Sequence, residues 1–180
     1  MLTLNYNGIT LSAITQADIE QVRLWRNAPE IAGNMEYTSH ITAQQQLAWF
    51  EQLKLKTNCH FFIINVLGKR IGLAHLSDVN QIEKSAQVGL FIGELNYVGT
   101  GVAVAASTCL LQFAFDKLAL GVLYAKVKNE NKIAINYNAF LGFEFDQKIN
   151  DYFNQYKITA QGYANQKDKI TQLAQIALHV

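Results

Sequence analysis

The chain has 180 residues, 15 Lys plus Arg against 14 Asp plus Glu, a formal net charge of +1, and apolar residues at half of its positions. A domain of this length buries roughly 70% of the surface its unfolded chain exposes, so a core can hold it without metal or disulfide staples. With charged residues at only 16%, no basic field of the kind that drives phosphate-backbone binding is present, which excludes nucleic acid as the expected partner. Cys59 and Cys109 lie far apart with no CxxC spacing, as expected of buried thiols in a reducing compartment. His40, His60 and His179 show no ligand spacing with each other or with either Cys, so no metal site is expected. No run approaches the roughly 20 apolar residues of a membrane span, and Met1 to Thr10 lacks the pattern of a signal peptide. The reading is a cytoplasmic protein with one domain over residues 1–180, free of linkers, repeats and low-complexity sequence.

In chain order, Leu2–Leu4 and Ile9–Ile14 flank Asn7-Gly8, a dipeptide suited to positive φ, and predict a short hairpin or one bent strand. Thr15 reads as an N-cap with Asp18 three residues on, and Ile19, Val22, Leu24 and Trp25 as the apolar side of a helix ending near Asn27 and Pro29. Thr42 caps a second helix whose apolar stripe is Leu47, Trp49, Phe50 and Leu53. The run from Phe61 and the run Ile71–Leu76, separated by Gly68-Lys69-Arg70, predict two antiparallel strands, and Ala86–Ile92 a third. After Gly93–Gly101 a helical stretch runs to about Leu118, followed by a strand at Val122–Val127 and a short helix at Lys132–Phe140 ended by Gly142. Phe143–Ile149 and Tyr152–Thr159 read as a last strand pair. Asp168–Leu178 reads as a helix with Ile170, Leu173, Ala174 and Ala177 on one side.

The strand–glycine loop–helix passage is the most informative. Asn96-Tyr97-Val98-Gly99-Thr100-Gly101 leads straight into a helix, presenting unpaired backbone N–H groups at its positive N-terminus, where a phosphate is favoured. Gly99 and Gly101 let the backbone approach an oxyanion and adopt positive φ. No Lys-Ser/Thr follows, which disfavours a P-loop, and the loop is too short and too late for a dinucleotide fingerprint.

This loop resembles the pyrophosphate loop of the GNAT superfamily of acyl-CoA-dependent N-acetyltransferases, Gln/Arg-x-x-Gly-x-Gly/Ala, with Asn96 where Gln or Arg is usual. Asn129-Glu130-Asn131-Lys132-Ile133-Ala134-Ile135, followed by Phe140-Leu141-Gly142-Phe143, is similar to the family's second segment, an Asn leading a short helix that ends in Leu-Gly-Phe. The resemblance implies an α/β (α+β) fold: a mixed, mostly antiparallel six- to seven-stranded sheet splayed between its fourth and fifth strands, with helices on both faces. It further implies acetyl-CoA as co-substrate in the V-shaped opening. Its pantetheine would lie along the backbone of Leu90, Phe91 and Ile92 and its pyrophosphate at Gly99 to Val102, with Asn96, Val98, Thr100, Gly101 and Asn131 completing the cofactor site.

Acetyl transfer to an amine requires a neutral nitrogen, a polarised thioester carbonyl and a proton for the leaving thiolate. The family's usual Tyr falls on Asn138, which cannot give a proton as a phenol can, while Tyr137 stands one residue earlier. Glu94, His75 and Asp78 are candidate bases, with Ser77 and Asp78 alternatively contacting the acceptor. Leu24-Trp25-Arg26-Asn27-Ala28-Pro29-Glu30-Ile31, then Met35, His40-Ile41-Thr42 and Leu47-Ala48-Trp49-Phe50, resemble the amino-sugar N-acetyltransferases of pseudaminic-acid-type pathways. That implies a small acceptor, a nucleotide-linked amino sugar used in surface-glycan biosynthesis, with Arg26 at the sugar-nucleotide pocket and a planar guanidinium matching a diphosphate. Gln46 stands where the second helix of those enzymes carries His. Alternatives are an N-terminal acetyltransferase of the ribosomal-protein type, which would need an acidic groove for a basic peptide, and an acyl-CoA-binding module without turnover. The apolar C-terminal helix and strand edges suggest a homodimer.

Overall fold

Asn7 and Gly8 both adopt positive φ, 42° and 76°, and this turn joins β1 (Thr3–Tyr6) to β2 (Ile9–Ala13) as an antiparallel pair. The computed structural model, which describes residues 2–176, continues the sheet through β3 (His60–Val66), β4 (Lys69–Asn80) and β5 (Ser85–Ile92), each antiparallel to the one before. β6 (Val122–Lys128) then runs parallel to β5, and β8 (Phe153–Thr159) and β7 (Glu144–Lys148) close the order β1-β2-β3-β4-β5-β6-β8-β7. The sheet thus has eight strands rather than six to seven, because the N-terminal segment is a full hairpin and not one bent strand. The expected opening lies between the expected segments, which are the fifth and sixth strands in this count.

That opening positions the site. β5 and β6 pair only at Ser85–Val122, Ala86–Leu123 and Gln87–Tyr124. Beyond Gln87, Val88–Ile92 of β5 has no strand on its β6 side, while β6 stays paired with β8 to Lys128.

Helices fill both faces. α1 (Ile19–Asn27), the single turn α2 (Pro29–Ala32) and α3 (Ala43–Leu55) belong to one side, where Val22, Trp25 and Ile31 pack with Ile63 and Leu73. On the other side α4 (Val102–Gln112), which widens into a π turn at Phe113–Lys117, and α6 (Ala160–Ile176) share the main core with Ile9, Leu11, Phe62 and Leu76. α5 (Lys132–Phe140) packs against the same core through Ala134, Ile135, Tyr137 and Phe140. Strand alternation explains the division: Leu90 and Ile92 of β5 turn to the α4 side and Phe91 to the α1 side.

Several local expectations change. Thr15 does not cap α1. Its N–H and hydroxyl both donate to Asp18 Oδ2, at 2.8 and 2.6 Å, and the helix begins at Ile19. Leu24 and Leu47 are exposed, and Gln46 takes the buried place in α3 with Phe50 four residues on, since a 3.6-residue period carries positions 46, 50 and 53 to one side. Thr42 does cap α3, in a reciprocal box with Gln45. The C-terminal helix starts at Ala160, earlier than expected, and Ile170 and Ala174 are fully buried in the chain's own core. The Leu173 side chain and Ala177 lie outside the described residues.

Candidate active site

A cavity of about 1030 Å³ occupies the divergence of β5 and β6 and is reached from both faces of the sheet. Its α1 side is lined by Arg26, Met35, Gln46 and Trp49 with Phe61, His75 and Ser77 of the sheet; its α4 side by Ser107, Leu110 and Leu111 of α4 and Ala134, Tyr137 and Asn138 of α5. Of the predicted acceptor residues, Arg26, Met35, Gln46, His75, Ser77 and Asp78 are all brought to this one space.

The Trp25-Arg26-Asn27 segment divides its work by helical phase. Trp25 turns into the core against Phe91, edge to face at 6.4 Å, and its indole N–H donates to Glu94 Oε1 at 3.0 Å. Asn27 fixes the segment that follows α2, donating to Ile41 O at 2.9 Å and accepting from Ile41 N–H at 2.8 Å. Arg26 between them reaches the cavity, and its buried Nε has no hydrogen-bond partner among the described residues. Burial lowers its pKa. A buried N–H donor without a partner at the wall of a cleft carries a desolvation cost that an acceptor oxygen would relieve.

His75 stands opposite Gly89 in the β4–β5 register and stacks on Phe61, with ring centroids 4.8 Å apart. Burial first, then the positive charge of Arg26, push its pKa down to about 4, so the imidazole is neutral at neutral pH. Trp49 meets Phe61 edge to face at 5.5 Å and extends the aromatic floor.

On the α4 side the glycine loop has the geometry its sequence implies. Leu95–Tyr97 forms a 3-10 turn, Gly99 and Gly101 take φ of 81° and 83°, and Gly101 is the left-handed N-cap of α4. The Thr100 hydroxyl donates to Tyr97 O at 2.8 Å, which ties the loop to itself. Among the described residues no acceptor takes the N–H groups of Gly99, Gly101, Val102 or Ala103. No neighbouring atom stands within 4 Å of where a Gly99 β-carbon would be. Unpaired donors at a helix N-terminus and an unpaired strand edge over Val88–Ile92 fit the pyrophosphate and pantetheine of a coenzyme A thioester. Asn131, expected among the cofactor contacts, caps α5 instead, its Oδ1 accepting the Ala134 N–H at 2.9 Å. Asn96 and Val98 are exposed on the loop.

The three predicted catalytic side chains separate. Tyr137 reaches the cavity, and its phenol shares a 2.7 Å hydrogen bond with the Ser107 hydroxyl; burial raises its pKa far above the ordinary phenol value, so it is a retained proton. Asn138 also lines the cavity, but its Nδ2 donates back to Ala134 O at 2.8 Å. Glu94 is not among the lining residues. It stands at the end of β5, holding the Trp25 indole and facing Lys69 at 3.9 Å, so the structure gives it a packing role where sequence suggested a base.

Among the lining residues that sequence did not single out are Ser107, Glu36, Lys126 and Lys128. Ser107 had a readable signal, a polar residue inside the apolar run Val102–Leu111. The others had none, since Lys126 pairs with a carboxylate 90 positions away.

Residues 9–144 match the acetyltransferase (GNAT) domain model, and the chain belongs to the GNAT acetyltransferase family, whose members use acetyl-CoA. The spermidine N(1)-acetyltransferase of Escherichia coli K12 is 30% identical over 88 residues, 49% of this chain and 47% of that protein, so the chain spans about half the length of this curated relative. An uncharacterized N-acetyltransferase, p20 of Bacillus licheniformis, is 26% identical over 157 residues, covering 84% of this chain and 88% of the relative. Among solved structures, spermidine N-acetyltransferase of Vibrio cholerae in complex with CoA and spermine superposes with TM-score 0.78 at 21% identity, over 88% of this chain and 99% of that one. Apo FdhC, a nucleotide-linked sugar GNAT, superposes with TM-score 0.82 at 18% identity, over 96% and 98%.

Proposed function

We propose that the chain transfers the acetyl group of acetyl-CoA to the neutral amine of a small acceptor bearing a diphosphate, a nucleotide-linked amino sugar. The observation that carries this reading is the charge of the acceptor half: Arg26, Lys126 and Lys128 against Glu36 and Asp78, with the Arg26 Nε buried and unpaired. A polyamine or basic peptide would call for the reverse balance.

The co-substrate, bound along β5 and the α4 N-terminus, supplies the thioester carbonyl. Arg26 holds the acceptor on the α1 side, and the His75–Phe61 floor orients the sugar. The two halves meet at the opening, where the amine nitrogen bonds to the carbonyl carbon and the C–S bond breaks. Tyr137 gives its phenol proton to the departing thiolate and regains one through Ser107, while the proton shed by nitrogen leaves to solvent through the acceptor side. Asn138, tied to its own helix, orients the site without donating a proton.

Spermidine is the second candidate acceptor, favoured by the match to spermidine acetyltransferases. The test is thiol release from acetyl-CoA by purified protein offered a UDP- or dTDP-linked 4-amino sugar, spermidine, or a basic peptide. Release with the sugar nucleotide alone is expected. Release with spermidine and none with the sugar nucleotide overturns the reading, and acetyl-CoA binding with no release on any acceptor would make the chain a binding module.

A further inference from the structure

The far wall of the acceptor half is β6, where Lys126 and Lys128 share the face opposite the buried Ala125 and Val127. Both amines are occupied by the segment that follows α2. Lys126 Nζ lies 2.6 Å from Glu36 Oε1 and over the Phe153 ring at 5.1 Å. Lys128 Nζ donates to Gly33 O at 3.0 Å and lies 3.7 Å from Glu130. The same segment is pinned to α1 at its other end through Asn27 and Ile41, so it straps the cleft from α1 to β6.

We propose that Lys126 and Lys128 select the acceptor by gripping its diphosphate, and that Glu36 is a placeholder which the diphosphate displaces from Lys126. This rests on the anionic-acceptor reading and assigns the grip and its placeholder to the wall opposite Arg26. Glu36 is two-thirds exposed and carries a single charge, so its pair with Lys126 is weak and screened by salt. A diphosphate brings at least twice that charge and several acceptor oxygens to two amines already extended toward the cleft. The placeholder keeps Lys126 extended and lowers the ordering cost of binding. It also repels anions from an empty cleft, so removing its charge strengthens binding.

UDP is the probe, its affinity followed by calorimetry at one fixed ionic strength, with acetyl-CoA affinity as the control for folding. Lys126→Gln combined with Lys128→Gln is expected to weaken UDP about tenfold or more and to leave acetyl-CoA within about twofold. Glu36→Gln, a surface change that leaves the core untouched, is expected to strengthen UDP about threefold or more. UDP affinity lost in Arg26→Ala but unchanged in both the lysine and Glu36 variants overturns this inference and leaves the anionic-acceptor reading standing. No binding of UDP to the wild-type protein at millimolar concentration overturns both.

Discussion

The imidazole of His75 occupies the volume that any side chain at Gly89 would need: a β-carbon there would overlap the ring. The two residues face each other in the β4–β5 register, so the smallest residue on one strand makes room for an aromatic floor built from the other. Gly89→Ala is therefore expected to push His75 off Phe61 and cost about 1–3 kcal/mol of stability, as overpacking does. Acceptor KM should rise while acetyl-CoA affinity holds. Urea unfolding and steady-state kinetics check both.

His75 also makes stability depend on pH. Its folded pKa of about 4 lies below the ordinary histidine value of 6.5, so between these limits the unfolded chain binds more protons and stability rises with pH. Its contribution is whole above pH 6.5 and drains away as pH falls toward 4, by about 1–3 kcal/mol for a ring at the edge of a cavity. Burial lowers the His60 pKa as well and acts in the same sense. Comparing His75→Gln with wild type by urea unfolding at pH 7 and pH 5 isolates the His75 share, which should appear as a smaller pH 5 loss in the variant.

Tyr137→Phe is expected to lower kcat about a hundredfold or more, because it removes the phenol proton without changing the packing. Ser107→Ala, which takes away only the partner hydroxyl, should cost less, and Asn138→Ala less again. Acetyl-CoA dissociation constants within about twofold of wild type would place all three effects in the chemical step.

Glu94 separates a packing role from a catalytic one. Glu94→Ala leaves the buried Trp25 indole N–H without its acceptor and should cost about 1–3 kcal/mol in unfolding free energy. Glu94→Gln keeps an acceptor oxygen and should retain kcat within about threefold, well short of the loss that removal of a general base brings. A hundredfold fall in Glu94→Gln would restore the base assignment.

Gly99→Val tests the cofactor loop. At φ of 81° a branched side chain strains the backbone by about 1–2 kcal/mol, and its methyls project into the open space before the α4 N-terminus. The acetyl-CoA dissociation constant should rise about tenfold or more while the acceptor's KM changes little, as isothermal calorimetry and kinetics would show.

What the sequence made legible was local chemistry. Asn7-Gly8, Thr42, Gly99 and Gly101 each act through the backbone within a few residues, so their spacing already states their job. Asn131 was legible as the head of a short helix yet not as its cap, because a side chain's choice between backbone and ligand depends on the folded neighbourhood. Arg26 and His75 were found as candidates, but the reasons they matter, an unpaired Nε and a ring seated over a glycine, belong to strands and helices brought together. For Glu94, proximity in sequence to β5 says nothing about the indole, 69 positions away, whose N–H its carboxylate accepts. Helix phase failed at Leu24 and Leu47 where a weakly amphipathic pattern let apolar residues sit on the solvent side.

Three parallel rungs between β5 and β6 are the shortest seam in the sheet. Past them the two half-sheets part, held across the gap by side chains and by the strap from α1. A molecule lying in that gap touches both halves at once and so acts as the missing rungs. Filling the cleft therefore splices two half-sheets into one mechanical body, and its effect on unfolding should exceed what the same contacts would give on a closed sheet.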